Sequence, residues 1–558
     1  MSLPPMAASS KPTDESSHSY DTPPNDQDFD WMISDAMSTA DTRTDFYDRS
    51  LTSRRYALVG VACSSIFSCL CIVAGIITLA NHGISTVAVV NLINPDKYVQ
   101  LFLQEEMVPL AFNLIVTLCT ESIGFIHGIS LRSALASESR LRFNTNLRLL
   151  AAARGWYNPN GTLLNSISAA LLIISYSLAS FVVCSDFQIL MAPIEVEGIS
   201  IAIAGLPLLI LGVVLLLQVM IALSGMRAVK ILTWSSSPFN LTAALVHHTQ
   251  LNPATLRCMH CVSDLDTYGG PARPSDMQPS SWHAHPSIRK VVISLWVIVA
   301  AYAGWATLVM YIWDRFHHPD SAEVLGSGSA LTLQTWSFLP NGVEDSFIEY
   351  RLWGSNLEVW TLLFVNMAVV QGPLTLGLHC SELIANVIRD ERQWRCATGR
   401  KGLRTATNPV KTIFIHPICL VLFAAKPFLH WMFGLSFTAV NPAIDGELVE
   451  GGLTVIIHTA QIWNLCIALF IFASLFTFVA LRRPRGPQPA AYGHLQTLAN
   501  LVDEWSPVMW WGHKKDGIPY CHAGTSDEGP LPDVKMDCVY AGSGAEPLVP
   551  PSLACFAF

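Results

Sequence analysis

The sequence predicts an all-α fold, a polytopic helical membrane protein of about eight transmembrane helices. Three observations predict it. Hydrophobic residues make up 51% of the 558 positions and charged residues only 13%, where soluble domains carry about a quarter charged. Mean hydropathy is +0.39. Eight apolar runs are each long enough, at about 20 residues, to cross about 30 Å of hydrocarbon as a helix. They cover 56–80, 107–130, 164–184, 198–226, 291–314, 359–382, 413–437 and 453–481.

The elements follow in order. Residues 1–55 are rich in Ser, Asp, Thr and Pro, as in SSHSYDTPPNDQDFD. Their apolar content is too low to bury a core, so they are expected to form a disordered cytoplasmic tail. A cleaved signal would place its apolar stretch nearer Met1, so the first span is expected to remain as an anchor. The eight spans divide into a first four-helix unit at 56–230 and a second at 291–483. A linker loop at 231–290 joins them, and a tail at 484–558 follows. The seventh span departs furthest from an apolar wall, since it carries His416, Pro417, Lys426, Pro427 and His430.

Basic residues set the orientation, because short loops rich in Lys and Arg are retained in the cytoplasm. Arg43, Arg49, Arg54 and Arg55 precede span one, and Arg132, Arg140, Arg142, Arg148 and Arg154 follow span two. Arg227 to Lys290, Arg389 to Lys411, and Arg482, Arg483 and Arg485 continue the alternation. The other loops are poor in bases and often acidic, as in GVEDSFIEY and DGELVEGG. Both termini are therefore expected to be cytoplasmic. On this topology the sequons at Asn160 and Asn240 face the cytosol and are chance matches, and no disulfide framework is expected. The net charge of -9 spreads over tails and outer loops, and suggests no nucleic-acid partner.

A shift of 253 residues, the difference between Asn366 and Asn113, superposes spans two to four on six to eight without a gap. It also places Gly124 on Gly377, Glu138 on Glu391, Arg142 on Arg395, and the tripeptide from Val196 on the one from Val449. Identity is low, so the case for two tandem four-helix units rests on the constant offset and matching topology. Two unrelated sets of apolar helices are the alternative. An even number of helices would make the units parallel, related by an axis along the membrane normal.

TWSSSPFNLTAAL, YGHLQTLANLVDEW and the closing WWGHKKDGIPYCHAGTSDEGPLPDVKMDCVYAG resemble segments of large fungal membrane proteins that carry no assigned activity. The resemblance implies a polytopic membrane fold over most of the chain beyond the N-terminal tail. It brings no functional residues with it.

The polar residues inside the spans are the candidate sites, since a charge at bilayer depth costs several kcal/mol unless paired or facing water. Glu121 is the first. Thr117, Glu121, Gly124 and Gly128 share one helical face, and Gly124-x-x-x-Gly128 is a small-residue pattern that lets helices approach closely. The shifted pair, Gly377 and Ser381, repeats it. Lys426 is the one base well inside a span. Helical rise places Glu121 about 14 Å and Lys426 about 20 Å above the cytosolic edge, within reach of two long side chains. An ion pair across the halves, an ion or proton site, and a protonated Glu121 are the readings open. His458, Gln461 and Asn464 share a broad face of span eight, and with Gln371 and Gln218 they suit either a polar pathway or interhelical hydrogen bonds.

Weaker motifs remain. Cys258 and Cys261 with His283 and His285 form a conceivable zinc set, but free thiols in the cytosol account for them equally well, and no metal or cofactor is assigned. His513, Cys521, His522 and Cys538 are more scattered still. Trp505, Trp510 and Trp511 suit an interfacial or packing patch. The closing CFAF fits a lipidation frame at Cys555, but no basic cluster stands upstream. Phosphate loops, HExxH, GxSxG and paired Asp-rich clusters are missing from the sequence, which disfavours an ATP-driven pump or a familiar intramembrane hydrolase.

The expected function is therefore a non-enzymatic membrane scaffold or sensor, embedded in the bilayer and engaging cytosolic protein partners through its tails and loops. The alternative is a secondary transporter or channel-like protein with a polar path past Glu121, Lys426 and His458.

Overall fold

Among the described residues, eight helices are long and apolar enough to cross a membrane, so this is an integral membrane protein. The computed structural model describes residues 47–82, 87–92, 98–185, 199–254, 256–264, 270–316, 331–339, 347–353, 357–406, 408–440, 443–444, 447–448 and 452–542. Most of the expected N-terminal tail and Cys555 lie outside them.

The first half runs α1 (Leu51–His82), β1 (Val87–Leu92), α2 (Tyr98–Ser137), α3 (Thr162–Val182), β2 (Val183–Ser185), β3 (Ile199–Ala204) and α4 (Gly205–Arg227). After it come α5 (Pro238–His247) and the single turn α6 (Ser281–Ala284). The second half runs α7 (Pro286–Phe316), β4 (Phe347–Trp353), α8 (Leu357–Cys380), α9 (Glu382–Arg395), β5 (Leu403–Arg404), α10 (Pro409–Ile415) and α11 (Pro417–Leu435). It continues through β6 (Phe437–Val440), β7 (Ala443–Ile444), β8 (Glu447–Leu448) and β9 (Gly452–His458) to α12 (Thr459–Leu481). The chain closes with α13 (Leu495–Leu501), β10 (Val508–Lys515) and β11 (His522–Ser526). Pro238, Pro286 and Pro417 open their helices, where the missing N–H costs nothing.

Two of the expected spans start too early. Residues 199–204 and 452–458 are strands, because the β-branched ISIAIA and GLTVIIH favour an extended backbone, which hydropathy alone does not separate from helix. They form the middles of two small sheets at one end of the bundle, ordered β1-β3-β2 and β4-β9-β6. In each, the central strand leads into the last helix of its half and pairs antiparallel with both neighbours.

The helices pack by a common scheme. Within a half, α1 lies on α4 and α7 on α12, while α3 meets α4 and α11 meets α12. Between halves, α2 packs on α11, α3 on α8, and α3 on α11. The α1–α4 approach is close enough that a Cβ at Gly75 would lie 2.7 Å from Leu209 N, and one at Gly212 2.7 Å from the Ser68 carbonyl.

At the opposite end the expected linker and tail fold together as a cap. Phe239, Trp394, Leu498, Met509, Trp511 and Tyr540 share one buried core, and α5 packs on α13. The three-stranded sheet β11-β10-β5 closes it. These contacts join residues hundreds of positions apart, so the separate linker and tail read from local composition must be corrected to one packed unit. The tryptophans belong to that packing. The zinc set does not assemble: Cys258 is in the core, Cys261 Sγ donates to Gln278 Oε1 (2.9 Å), and His285 lies against Phe143 with ring centroids 4.0 Å apart. Asn160 and Asn240 are both buried.

Candidate functional site

The α2–α11 contact brings Glu121 and Lys426 together. Lys426, buried, donates from Nζ to Glu121 Oε1 and to Glu382 Oε1. Glu382 opens α9, one turn after His379 at the end of α8. Ser381 between them keeps a near-helical backbone (φ -66°, ψ -17°), which holds the imidazole and the carboxylate on one side. His379 Nδ1 lies 3.1 Å from Glu382 Oε1, 3.4 Å from Lys426 Nζ and 3.7 Å from Glu121 Oε1. Arg148, from the α2–α3 connection, stands 3.8 Å from Glu382. Two carboxylates thus face two fixed cations, and the formal charges cancel. A buried lysine between carboxylates is costly to break from one side, since the partner left behind stays buried and charged.

Glu121, His379 and Glu382 each bring one ligand atom within 4.8 Å of the others. That is metal-site spacing, but the Lys426 ammonium is bonded to both carboxylates and supplies the positive charge itself.

Arg148 also explains the glycines of α2, and corrects their expected role. A Cβ at Gly124 would lie 1.7 Å from Arg148 Nη1, and one at Gly128 would touch its Cδ at 3.7 Å. The Gly124-x-x-x-Gly128 face is a bed for an arginine side chain, not a seam between helices. At the second pair, a Cβ at Gly377 would come 2.6 Å from Ile298 Cδ1 on α7, while the Ser381 hydroxyl donates locally to the Gly377 carbonyl at 2.8 Å.

A polar chain continues from the cluster into the bundle. The Tyr176 ring stacks on His430 with centroids 3.8 Å apart and planes 13° from parallel. Its hydroxyl bonds Thr120 Oγ1 at 3.0 Å and Thr117 Oγ1 at 3.2 Å, while Gln371 Nε2 donates to His430 Nδ1 at 3.0 Å. His379 Nε2, His430 Nε2 and Gln371 Oε1 are buried without hydrogen-bond partners. Such unmet groups are uncommon, because each carries a desolvation penalty of about 1–3 kcal/mol.

A cavity of about 580 Å³ reaches this cluster. Its walls come from α1, α2, residues 144–149 and the α8–α11 segment, with Glu121, Arg148, His379, Glu382 and Lys426 all in the lining. Toward the cap it meets a second polar knot. Arg132 donates to Asn144 Oδ1 (2.8 Å) and to the Ser235 carbonyl (2.7 Å), and Asn144 donates to Asp390 Oδ2 (2.9 Å), which belongs to α9.

The other expected polar residues lie elsewhere. His458 ends β9 and precedes α12, so it does not share a helical face with Gln461 and Asn464. Asn464 Nδ2 donates to the Ser337 carbonyl (2.9 Å) and to Gln461 Oε1 (3.1 Å), tying down the 331–339 segment. None of the three lines the cavity. Gln218 is buried with its Nε2 unpartnered. Sequence reasoning passed over His379, Glu382, Arg148 and Tyr176. His379 and Glu382 sit where span six was expected to end, and a charge there reads as flank; their three-residue spacing was the available signal.

Comparison of the chain with family models, with curated proteins and with solved structures finds no match to any of the three.

Proposed function

We propose that the protein is a non-enzymatic membrane protein of secondary-transporter type, with both termini cytoplasmic, whose two halves enclose a solute-binding cavity. The observation that carries this is the buried Lys426 ammonium, bonded to a carboxylate from each half at the wall of a cavity. Discontinuous or kinked helices meeting between two bundles are where such proteins place their sites. Glu121 belongs to α2 in the first half, so a solute or proton that takes Lys426 from Glu121 loosens a contact between the halves, whereas the Lys426–Glu382 pair lies within the second half. The common strand order and helix pairing support reading the halves as a duplicated four-helix unit.

The test is flux. Full-length protein in liposomes loaded with a pH-sensitive dye should dissipate an imposed proton or solute gradient. Glu121→Gln should stop that flux while keeping the Glu382–Lys426 pair and protein abundance. Flux unchanged in Glu121→Gln, or no flux under any gradient, would overturn the transport reading.

One observation favours a second reading, a sensor or scaffold that signals to cytosolic partners. The helix that opens with Glu382 also carries Asp390, Glu391 and Trp394 into the cap. There Glu391 accepts the N–H groups of Ala491 (3.0 Å) and Tyr492 (2.9 Å), and Trp394 Nε1 donates to the Pro489 carbonyl (2.7 Å). Occupancy of the cavity would then be read out through α9.

A further inference from the structure

The cavity wall is unevenly made. Four basic side chains, Arg132, Arg148, Arg389 and Lys426, line it with two carboxylates, Glu121 and Glu382, and both carboxylates are engaged by Lys426. Arg389 is paired with Asp390 at 2.9 Å. Arg132 and Arg148 are less fully met. Arg132, in the lining, is buried at 8% exposure; its two terminal nitrogens are held by Asn144 and the Ser235 carbonyl, and its Nε has no partner. The carboxylate oxygen beside Arg148 stands at 3.8 Å, beyond hydrogen-bond range. Leu118, Phe125 and Phe423 supply an apolar stretch of the wall, and Phe414, also in the lining, is 63% exposed.

Leu118 and Phe125 belong to a membrane-spanning helix, so this apolar side lies at bilayer depth, whereas Arg132 lies toward the cap. A small hydrophilic solute would leave the aromatic wall bare, and a neutral lipid would leave the arginines unmet. Pockets of this size bind through apolar walls with a few convergent polar groups.

We propose that the cavity binds an amphipathic anion, a single-chain carboxylate or phosphate. Its head meets Arg148, on the side of the cavity that also carries Arg132, and its tail runs along Leu118, Phe125 and Phe423. The arginine fork suits two anionic oxygens at once. This rests on the reading of the cavity as a ligand site, and names the ligand class.

Equilibrium binding to the purified full-length protein tests it, with radiolabelled oleate and a single-chain lysophosphatidate as probes. Oleyl alcohol supplies the tail alone, and inorganic phosphate or acetate the head alone. The anionic chains should bind saturably, and either single component about tenfold more weakly or worse. Which of the two chains binds tighter identifies the head. Arg148→Gln should weaken oleate binding about tenfold, with partial recovery in Arg148→Lys. Phe414→Asp, at an exposed side chain of the lining, should weaken it as well, and this variant, with its melting temperature matched to wild type, decides if Arg148→Gln fails to fold. Oleyl alcohol or free phosphate binding as tightly as the anionic chains would overturn the proposal, and so would wild-type affinity in Phe414→Asp. Oleate binding without Glu121-dependent flux removes the transport reading and leaves this one standing, whereas flux without oleate binding does the reverse.

Discussion

The two halves of the membrane region are packed alike and charged differently. Shifted by 253 residues, β3 falls on β9 and β2 on β6, and both sheets put the strand before the last helix in the middle. The crossing contacts are reciprocal as well: α2 on α11 is matched by α8 on α3. Yet the same shift turns Glu121 into Leu374, His379 into Ile126, Glu382 into Ile129, Lys426 into Ile173 and His430 into Ser177. A common scaffold therefore carries a one-sided site. The first half contributes a carboxylate and an arginine, and the second contributes the lysine, the histidines and the other carboxylate. Each half is formally neutral at the site, yet ion contacts cross the seam in both directions, from Lys426 to Glu121 and from Arg148 to Glu382.

Removing the ion that closes the seam should have the largest effect. Lys426→Met leaves Glu121 and Glu382 facing each other without the ammonium, and should destabilise the protein by about 3–5 kcal/mol. Thermal unfolding of the purified protein measures this. Adding Glu382→Gln to Lys426→Met should recover more than half of the loss, since one fewer buried charge then needs a partner. If Lys426→Met melts like wild type, the cluster is not what joins the halves.

The cap joins the halves by a second route, with its own pH dependence. Phe143, from the first half, packs between His285 and His494, with ring centroids 4.0 and 4.8 Å away, whereas the shifted position in the second half is the exposed Cys396. Burial pushes both histidines down to about 4, and Arg142 and His285 push His494 in the same direction. In the unfolded chain they titrate near 6.5. Between about pH 6.5 and 4 the unfolded state therefore binds protons that the folded cap refuses, and stability falls as pH falls. The slope approaches about 1.4 kcal/mol per pH unit for each histidine. Tryptophan fluorescence from the cap, with its buried Trp394 and Trp511, should report acid loosening in this window. His285→Phe should flatten the slope. A flat profile across the window in the wild type would mean that the rings are not held neutral.

How much of this was legible in the sequence depends on the range of the interaction. Span number follows from local composition, and all eight membrane helices overlap the apolar runs, although α4 and α12 begin later than hydropathy placed them, after β3 and β9. Glu121 and Lys426 announced themselves by cost, because an ion at bilayer depth needs a reason. Glu382 carried no such alarm at a helix end, nor did Arg148 in a loop, and their meeting depends on α9 continuing past Ser381 and on Arg148 lying along Gly124. Sequence spacing showed that Gly124 and Gly128 leave room, but not what fills it. The cap was least legible, since its core joins α5, α9 and α13 across long intervals, and each segment alone reads as loop or tail. The two sheets were hidden by their own hydrophobicity, because Ile-rich strands beside a span look like more span.

The smallest expected effect separates the halves by how their outer pairs are built. Gly212 on α4 lies so near α1 that an added Cβ would stand 2.7 Å from the Ser68 carbonyl and from Ile72 Cγ1, and 2.9 Å from the Ile72 N. Backbone atoms cannot rotate away, so Gly212→Ala must push α1 and α4 apart, at about 1–3 kcal/mol. The matching pair in the second half, α7 and α12, has Leu465 at the position that Gly212 takes, and it is joined by side chains, with Trp296 Nε1 donating to Thr477 Oγ1 at 3.0 Å. The glycine of α7, Gly304, meets nothing within 4 Å of its would-be Cβ. Gly304→Ala adds no clash and removes the backbone freedom that glycine gives the unfolded chain, so it should stabilise by about 0.5–1 kcal/mol. Melting temperatures of the two variants should move in opposite directions. If both fall, the second half is packed as tightly as the first and the contrast between glycine-spaced and side-chain-spaced pairs is wrong. If both hold or rise, α1 has room to shift, and the first half is the more pliable partner at the seam.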